Sequence, residues 1–162
     1  MSKITLLQNY DKPILLENAS EGWVYKISDK YVVKVPACVI TGSLARERYK
    51  EDMFHEIKIT RLLYSFGISV PEPMTCDYVN VRGKDEIGYI MEYVEGISWD
   101  DNNISEEDNV LAKNLLNQEL KLISNLGFSL QGDAPQWIFT KDKKIKLIDF
   151  TKWQYKDIIC QY

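Results

Sequence analysis

Two carboxylates stand at the ends of a predicted β-hairpin in the last third of the chain. Asp133 precedes the apolar run 137–139, and Asp149 directly follows the apolar run 145–148. The polar interval 141–144 is typical of a turn, so the two arms are expected to bring the acids together. One acid could then accept a proton from a hydroxyl nucleophile while the other holds a divalent cation. For either Asp taken alone, an ordinary turn residue is the preferred interpretation.

The composition predicts a chain that can bury a substantial core. Of its 162 residues, 45% are apolar and 12% aromatic, and the net charge of −4 argues against a nucleic-acid partner held mainly through its phosphates. Cys38, Cys76 and Cys160 are widely spaced, which indicates a reducing compartment rather than a disulfide framework. No stretch has the length and apolarity of a membrane span or secretory signal, so we expect a cytoplasmic protein without membrane binding.

The elements that must position the two acids begin with a run of strands. Short segments rich in β-branched and aromatic residues are separated by polar turns, which predicts an antiparallel meander followed by two further strands. The predicted strands cover residues 14–16, 23–27, 31–35, 74–81 and 87–94.

Two long helices are predicted between these strands and the hairpin. The first runs from Ser43 to about Tyr64 and is expected to end at Gly67. The second has leucines at helical spacing up to Gly127, and the segment 105–108 resembles a capping box with Ser105 as the N-cap. Together with the strands, the helices predict an α+β fold.

The order of these parts resembles the protein-kinase superfamily over most of the chain. Residues 67–73 and Ile148-Asp149-Phe150 are similar to the connecting segment and metal motif of the small atypical RIO-like kinases. The resemblance implies a kinase-like N-lobe over residues 1–95, with a five-stranded antiparallel sheet and one long helix. It also implies a truncated C-lobe over residues 96–162, with one long helix and a catalytic-loop hairpin but no activation loop.

The resemblance assigns a phosphate-binding role to a lysine in the third predicted strand. Lys34 ends a segment similar to the V-A-I-K strand of kinases and would neutralise the α- and β-phosphates of ATP, with Glu56 as its ion-pair partner. Residues 17–24 occupy the place of the glycine-rich loop, where Gly22 is the one retained glycine and Val24 the valine. An edge-strand lysine, a solvated helix glutamate and a tight turn are the structural alternatives.

The segment 90–96 resembles the hinge that binds adenine in kinases. Met91 would guard the back of the nucleotide pocket, and the backbone of Glu92 and Val94 would hydrogen-bond to the base. An ordinary buried strand explains the same residues, and the segment does not separate the two interpretations.

The segment 131–133 stands where kinases carry H-R-D or H-G-D, so Asp133 is the candidate catalytic base. Kinases place a metal-binding Asn five residues after this Asp, but here that position holds Ile138, or Trp137 if one loop residue has been lost. Neither side chain can ligate magnesium, so Gln136 is a candidate to supply an amide oxygen beside Asp149.

These assignments leave three hypotheses open. The first is a minimal kinase that binds Mg-ATP between its lobes and transfers a phosphoryl group to a hydroxyl, expected to belong to a protein, with a bound partner helping to hold that substrate. The second is a pseudokinase, a nucleotide- or protein-binding regulatory module without transfer activity. The third is an unrelated α+β domain in which the motifs coincide by chance.

Overall fold

The computed structural model describes residues 14–18, 22–36, 42–81 and 84–156. These residues divide into two compact units. Unit 1 takes the described residues up to Ile57 together with Glu72–Tyr93, and unit 2 takes Lys58–Pro71 together with the described residues from Val94 onward. Each unit has its own core, and the predicted α+β composition is confirmed.

Unit 1 is built on a five-stranded antiparallel sheet, as the sequence predicts. Its strands follow the spatial order β1-β2-β3-β5-β4, so β5 pairs with both β3 and β4. β1, β2 and β3 pair in chain order, whereas the return of β5 beside β3 is a long-range pairing. The strands are β1 (Ile14–Asn18), β2 (Gly22–Lys26), β3 (Tyr31–Pro36), β4 (Pro73–Val81) and β5 (Lys84–Glu92).

The two faces of this sheet carry different clusters because side chains alternate along a strand. Val33 and Val35 lie on one face in an apolar cluster with Trp23, and both valines are fully buried. Lys34 points to the other face, where its strand neighbour Tyr89 packs in a second cluster. The single charge in β3 therefore shares its face with apolar residues.

The first predicted helix is present as α1 (Gly42–Ser65). Its residues up to Ile57 belong to unit 1 and the remainder to unit 2. Gly67 has a positive φ of 78°, and the N–H of the following Ile68 donates to the carbonyl of Leu63 at 3.1 Å. This is the left-handed turn by which a glycine ends a helix, so the predicted C-terminus is confirmed.

Unit 2 contains the second predicted helix and two small sheets. The helix is α2 (Glu106–Asn125), and the Ser105 hydroxyl accepts from the Asp108 N–H at 3.1 Å, which confirms the predicted N-cap. The antiparallel sheets have the orders β6-β8-β9 and β10-β7. The strands are β6 (Gly96–Ser98), β7 (Phe128–Leu130), β8 (Gln136–Thr140), β9 (Ile145–Ile148) and β10 (Trp153–Tyr155).

The core of unit 2 joins the end of α1, one face of α2 and the inner faces of the small sheets. Leu63, Ile123 and Leu147 are fully buried at its centre. Ser69 fastens the connecting segment to β9, since its hydroxyl donates to the Ile145 carbonyl at 2.6 Å.

Within the described residues, neither helix has an apolar stretch that could cross a bilayer.

Candidate active site

An ion pair joins the third strand of unit 1 to helix α1. The ammonium Nζ of Lys34 lies 2.6 Å from Oε2 of Glu56, 22 residues further along the chain. Glu56 is only 3% exposed, and the helix places it between the buried residues Met53 and Ile57 of the same apolar face. Glu56 is therefore not a solvated helix glutamate.

Burial decides how this pair is to be interpreted. Two charges lose their hydration when they are buried, and their attraction offsets that cost only when geometry and hydrogen bonding are good. A hydrophobic pair of similar size would serve the core at least as well. The Lys34–Glu56 pair is therefore weak evidence of a stabilising device and better evidence of a lysine held for another purpose.

Gly22 and Val24 of β2 surround Lys34 on its own sheet face. Val24 is the direct partner of Lys34 in the strand register, and its side chain is half-buried. A Cβ atom at Gly22 would stand 3.2 Å from Cε of Lys34 and 3.0 Å from the Val35 carbonyl oxygen. Glycine therefore lets the β2 backbone approach the lysine side chain closely. Residues 19–21 of the predicted phosphate loop lie outside the described residues.

The predicted hinge lies at the end of β5. Met91 is half-buried and packs against the cluster formed by Met53, Ile57 and Tyr89. The Glu92 N–H donates to the Glu72 carbonyl at 3.0 Å, so a contact from Glu92 to a base would use its carbonyl. In unit 2, the backbone of Val94 makes no hydrogen bond within the described part of the chain.

The hairpin β8-β9 of unit 2 carries the predicted metal residues. Its register pairs Gln136 with Ile148, the residue immediately before Asp149. Trp137 is 5% exposed and lies in the core, so it faces away from this edge. Because side chains alternate along the strand, Gln136 stands on the less buried face of the hairpin, at the end where Asp149 follows.

Asp149 has a conformation that is unusual for a residue other than glycine. Its φ is +57°, and its Oδ1 accepts hydrogen bonds from both the Thr151 hydroxyl, at 2.9 Å, and the Thr151 N–H, at 3.3 Å. Its Oδ2 makes no hydrogen bond or ion pair with a described residue. Thr151 therefore fixes one carboxylate oxygen and leaves the other available for a ligand.

The residues at this edge of the hairpin can supply only part of the coordination shell of a magnesium ion. Magnesium prefers oxygen ligands and commonly binds through one or two carboxylates together with substrate phosphates and water. Asp149 supplies one carboxylate oxygen, and the Gln136 amide stands on the adjoining strand end. Among the described residues there is no group of three or more His, Cys, Asp or Glu that could hold a metal by itself. An ion here would depend on the phosphates of a nucleotide.

Asp133 lies in an exposed loop before β8. The preceding Gly132 has φ +80°, a conformation that favours glycine, and Gln131 is anchored by its N–H to the Lys152 carbonyl at 3.0 Å. The carboxylate of Asp133 makes no hydrogen bond or ion pair with a described residue. It is accessible to an incoming hydroxyl, as a catalytic base must be.

Three residues of unit 2 were given no site role by the reasoning from sequence. Ile138 and Ile148 share the less buried face of the β8-β9 hairpin with Gln136, and both are half-buried. The sequence carries no signal for them, because Trp137, Ile138 and Phe139 are all apolar and only the structure shows which face each occupies. Thr151 was also missed, although a Thr two residues after an Asp is a common local hydrogen-bonding motif.

The fold and these residues define an α+β chain with a strand lysine paired to a buried glutamate in one unit and a carboxylate-bearing hairpin in the other. No protein-family model matches the chain, and no curated protein matches its sequence.

Similarity appears instead among solved structures. The chain is similar to WbdD in a co-crystal structure with the kinase inhibitor LY294002, with a TM-score of 0.63 and 18% identity over 90% of this chain. It is also similar to monomeric WbdD, with a TM-score of 0.62 and 18% identity over 84% of this chain. The chain spans about a third of the length of each WbdD chain, since each match covers 33% of the WbdD chain. At this identity the likeness concerns the fold alone, and the RIO-like assignment stays a prediction.

Proposed function

We propose that the chain is a minimal kinase that transfers a phosphoryl group from Mg-ATP to a hydroxyl group. The observation that carries the proposal is the ion pair between Lys34 and the buried Glu56, which holds an ammonium group on a sheet face beside Gly22 and Val24. The fold likeness to WbdD, crystallised with a kinase inhibitor, adds support.

Each charged residue takes one role in the proposed reaction. Lys34, oriented by Glu56, would neutralise the phosphates, and Oδ2 of Asp149 would hold a magnesium ion. Asp133 orients the substrate hydroxyl and accepts its proton as the new oxygen–phosphorus bond forms. The bond from the γ-phosphorus to the β-phosphate oxygen breaks, and ADP leaves. Magnesium would supply neutralisation of charge on the transferred group.

Adenine recognition is proposed for the predicted hinge. The backbone of Glu92 and Val94 stays the predicted contact of the base, with Met91 at the back of the nucleotide pocket. Val24 stays the valine of the predicted phosphate loop. Ile138 and Ile148 add an apolar surface on the hairpin that carries Asp149. Few polar contacts and a mostly apolar lining are typical of nucleotide-base pockets.

A second candidate function is a nucleotide-binding module without transfer activity. The observation that favours it is the burial of Trp137 in the unit 2 core, where a kinase would offer an asparagine to the metal. If Gln136 does not replace that ligand, ATP could bind through Lys34 without efficient transfer.

A transfer assay separates the two candidates. The protein is incubated with labelled Mg-ATP and candidate hydroxyl acceptors, beside Lys34→Met, Asp133→Asn and the control Asp142→Asn. The control removes an exposed carboxylate in the hairpin turn, where no role in transfer is proposed. A kinase loses transfer in the first two variants and keeps it in the third. Absence of transfer above the Asp133→Asn level removes the kinase proposal.

A thermal-shift titration tests nucleotide binding by itself. ATP at about 100 times its dissociation constant should stabilise the folded chain by about 2.7 kcal/mol. Stabilisation that requires magnesium supports the kinase, and stabilisation without magnesium supports the binding module. Absence of any shift at millimolar ATP contradicts both.

A further inference from the structure

The last residue of β5 and the residue before β4 form a strand pair with only half of the regular hydrogen bonding. Glu72 stands opposite Glu92, since the register pairs the neighbouring Pro73 with Met91. The Glu92 N–H donates to the Glu72 carbonyl at 3.0 Å. In a regular antiparallel pair of this kind, the two residues exchange both backbone hydrogen bonds. The Glu72 N–H is therefore expected to donate to the Glu92 carbonyl.

The Glu72 N–H donates instead to the side chain of Glu92. Its acceptor is the carboxylate oxygen Oε2, at 2.9 Å. No hydrogen bond joins this N–H to the Glu92 carbonyl. An ionised carboxylate is a stronger acceptor than a peptide carbonyl, which favours the exchange. The Glu92 carboxylate thus takes the donor that a regular ladder would give to the carbonyl of the same residue.

Strand β3 sets the direction of the Glu92 carbonyl from the other side. Tyr31 is the partner of Glu92 in the strand register, and the Tyr93 N–H donates to the Lys30 carbonyl at 2.7 Å. Because the N–H and C=O of a trans peptide point in opposite directions, the Glu92 carbonyl points away from β3. It therefore lies on the edge where Glu72 stands. Glu92 is half-buried and Glu72 is exposed, so a ligand can approach this edge.

We propose that the Glu92 carboxylate is a positioning group, which holds the Glu72 N–H away from the Glu92 carbonyl so that this carbonyl accepts from the amino group of a purine base. The proposal rests on the proposed function, in which the backbone of Glu92 contacts adenine, and it adds a reason why that base is selected. Adenine carries an amino donor where guanine and hypoxanthine carry an oxygen acceptor. The chain should therefore bind ATP more tightly than ITP, whose base is hypoxanthine.

Removing the carboxylate should complete the regular strand pair. In Glu92→Ala the Glu72 N–H loses its side-chain acceptor, bonds to the carbonyl at position 92 and competes with the base amine. Isothermal titration calorimetry should then show a roughly three- to tenfold loss of Mg-ATP affinity. Mg-ITP affinity should stay unchanged, because its base offers no donor to that carbonyl. The matched control is Glu92→Gln, whose amide oxygen can still accept from the Glu72 N–H and should keep the preference for ATP.

Nuclear magnetic resonance tests the exchange of hydrogen bonds without any nucleotide. Scalar coupling through a hydrogen bond, from the Glu72 amide nitrogen to the carbonyl carbon at position 92, is measured in deuterated protein. It should be absent in the wild type and in Glu92→Gln, and it should appear in Glu92→Ala. A Glu92→Ala protein without this coupling overturns the proposal and leaves the proposed kinase function standing.

The titrations separate failure of this proposal from failure of the proposed function. A wild type that binds neither nucleotide contradicts the proposed function, and the base contact fails with it. A wild type that binds ATP and ITP equally overturns the role of the base amine alone. A Glu92→Ala protein that keeps the full preference for ATP overturns the role of the carboxylate. Equal losses of ATP and ITP affinity in that variant overturn it as well, because a purely structural defect weakens both nucleotides.

Discussion

The two units hold their candidate active-site charges in opposite ways. In unit 1, Lys34 and Glu56 are brought together by a strand and a helix, and the carboxylate is buried. In unit 2, Asp133 lies on an exposed loop, and Asp149 is held by Thr151, its neighbour two residues away. The first arrangement depends on tertiary packing, and the second depends on local hydrogen bonds. Substitutions should therefore affect stability in unit 1 and ligand binding in unit 2.

The largest effect is expected when the buried pair is broken. Lys34→Met leaves the Glu56 carboxylate buried without its ammonium partner, and should destabilise unit 1 by roughly 2–4 kcal/mol in urea unfolding. The matched control is Lys141→Met, because Lys141 pairs with Glu95 at 2.7 Å but both side chains are mostly exposed. That variant should lose less than about 1 kcal/mol.

A double variant sharpens this prediction. Lys34→Met with Glu56→Leu removes both charges, so part of the stability lost in the single variant should return. If Lys34→Met lowers the free energy of unfolding no more than Lys141→Met does, the Lys34–Glu56 pair does not behave as a buried pair. The contrast between the two units then disappears.

The next largest effect is expected at the unit 2 acid. Asp149→Asn removes the proposed magnesium ligand, so ATP affinity in magnesium should fall at least tenfold, about 1.4 kcal/mol, towards the magnesium-free value. Isothermal titration calorimetry with and without magnesium measures both affinities. Asp142→Asn in the same hairpin should leave them unchanged. An Asp149→Asn protein with full magnesium dependence contradicts the assignment.

A smaller effect separates the role of Thr151 from simple packing. Thr151→Val keeps the shape of the side chain but removes the hydroxyl that donates to Asp149 Oδ1. ATP affinity in magnesium should fall about three- to tenfold, with the magnesium-free affinity unchanged. Thr151→Ser restores the hydroxyl and should restore the affinity. Equal affinities for the Val and Ser variants would show that the hydroxyl does not position the carboxylate.

The smallest effect concerns the exposed turn between β8 and β9. The Thr140 hydroxyl donates to Asp142 Oδ1 at 2.5 Å and, followed by Lys144, lowers the pKa of Asp142 below its ordinary 3.8. Because this pKa is lowered in the folded protein, the ionised Asp142 carboxylate stabilises the fold above pH 3.8. That stabilisation is lost as the pH falls through the pKa of the folded state. Because Asp142 is fully exposed, the change in stability should be slight.

Nuclear magnetic resonance titration of the Asp142 carboxyl checks the cause of this shift. In Thr140→Val the pKa should rise towards 3.8, because the first of its causes is removed. An unchanged pKa in this variant would assign the shift to Lys144 instead.

The elements that the sequence predicted well are those with a strong local pattern. Both long helices, their ends at Gly67 and Ser105, and all five strands of the unit 1 sheet follow from periodicity, capping and turn residues. The three-residue strands β6, β7 and β10 were missed. Such short strands are defined by the partners with which they pair rather than by their own composition.

The sequence alone determined which residue types could do chemistry and the order in which they occur. It could not determine that Glu56 is buried against Lys34 or that Trp137 enters the core, because both depend on packing between distant segments. The place of β5 between β3 and β4 has the same origin. Local propensities act over a few residues, whereas burial is decided by the whole fold, and burial turns a strand lysine and a helix glutamate into a candidate site.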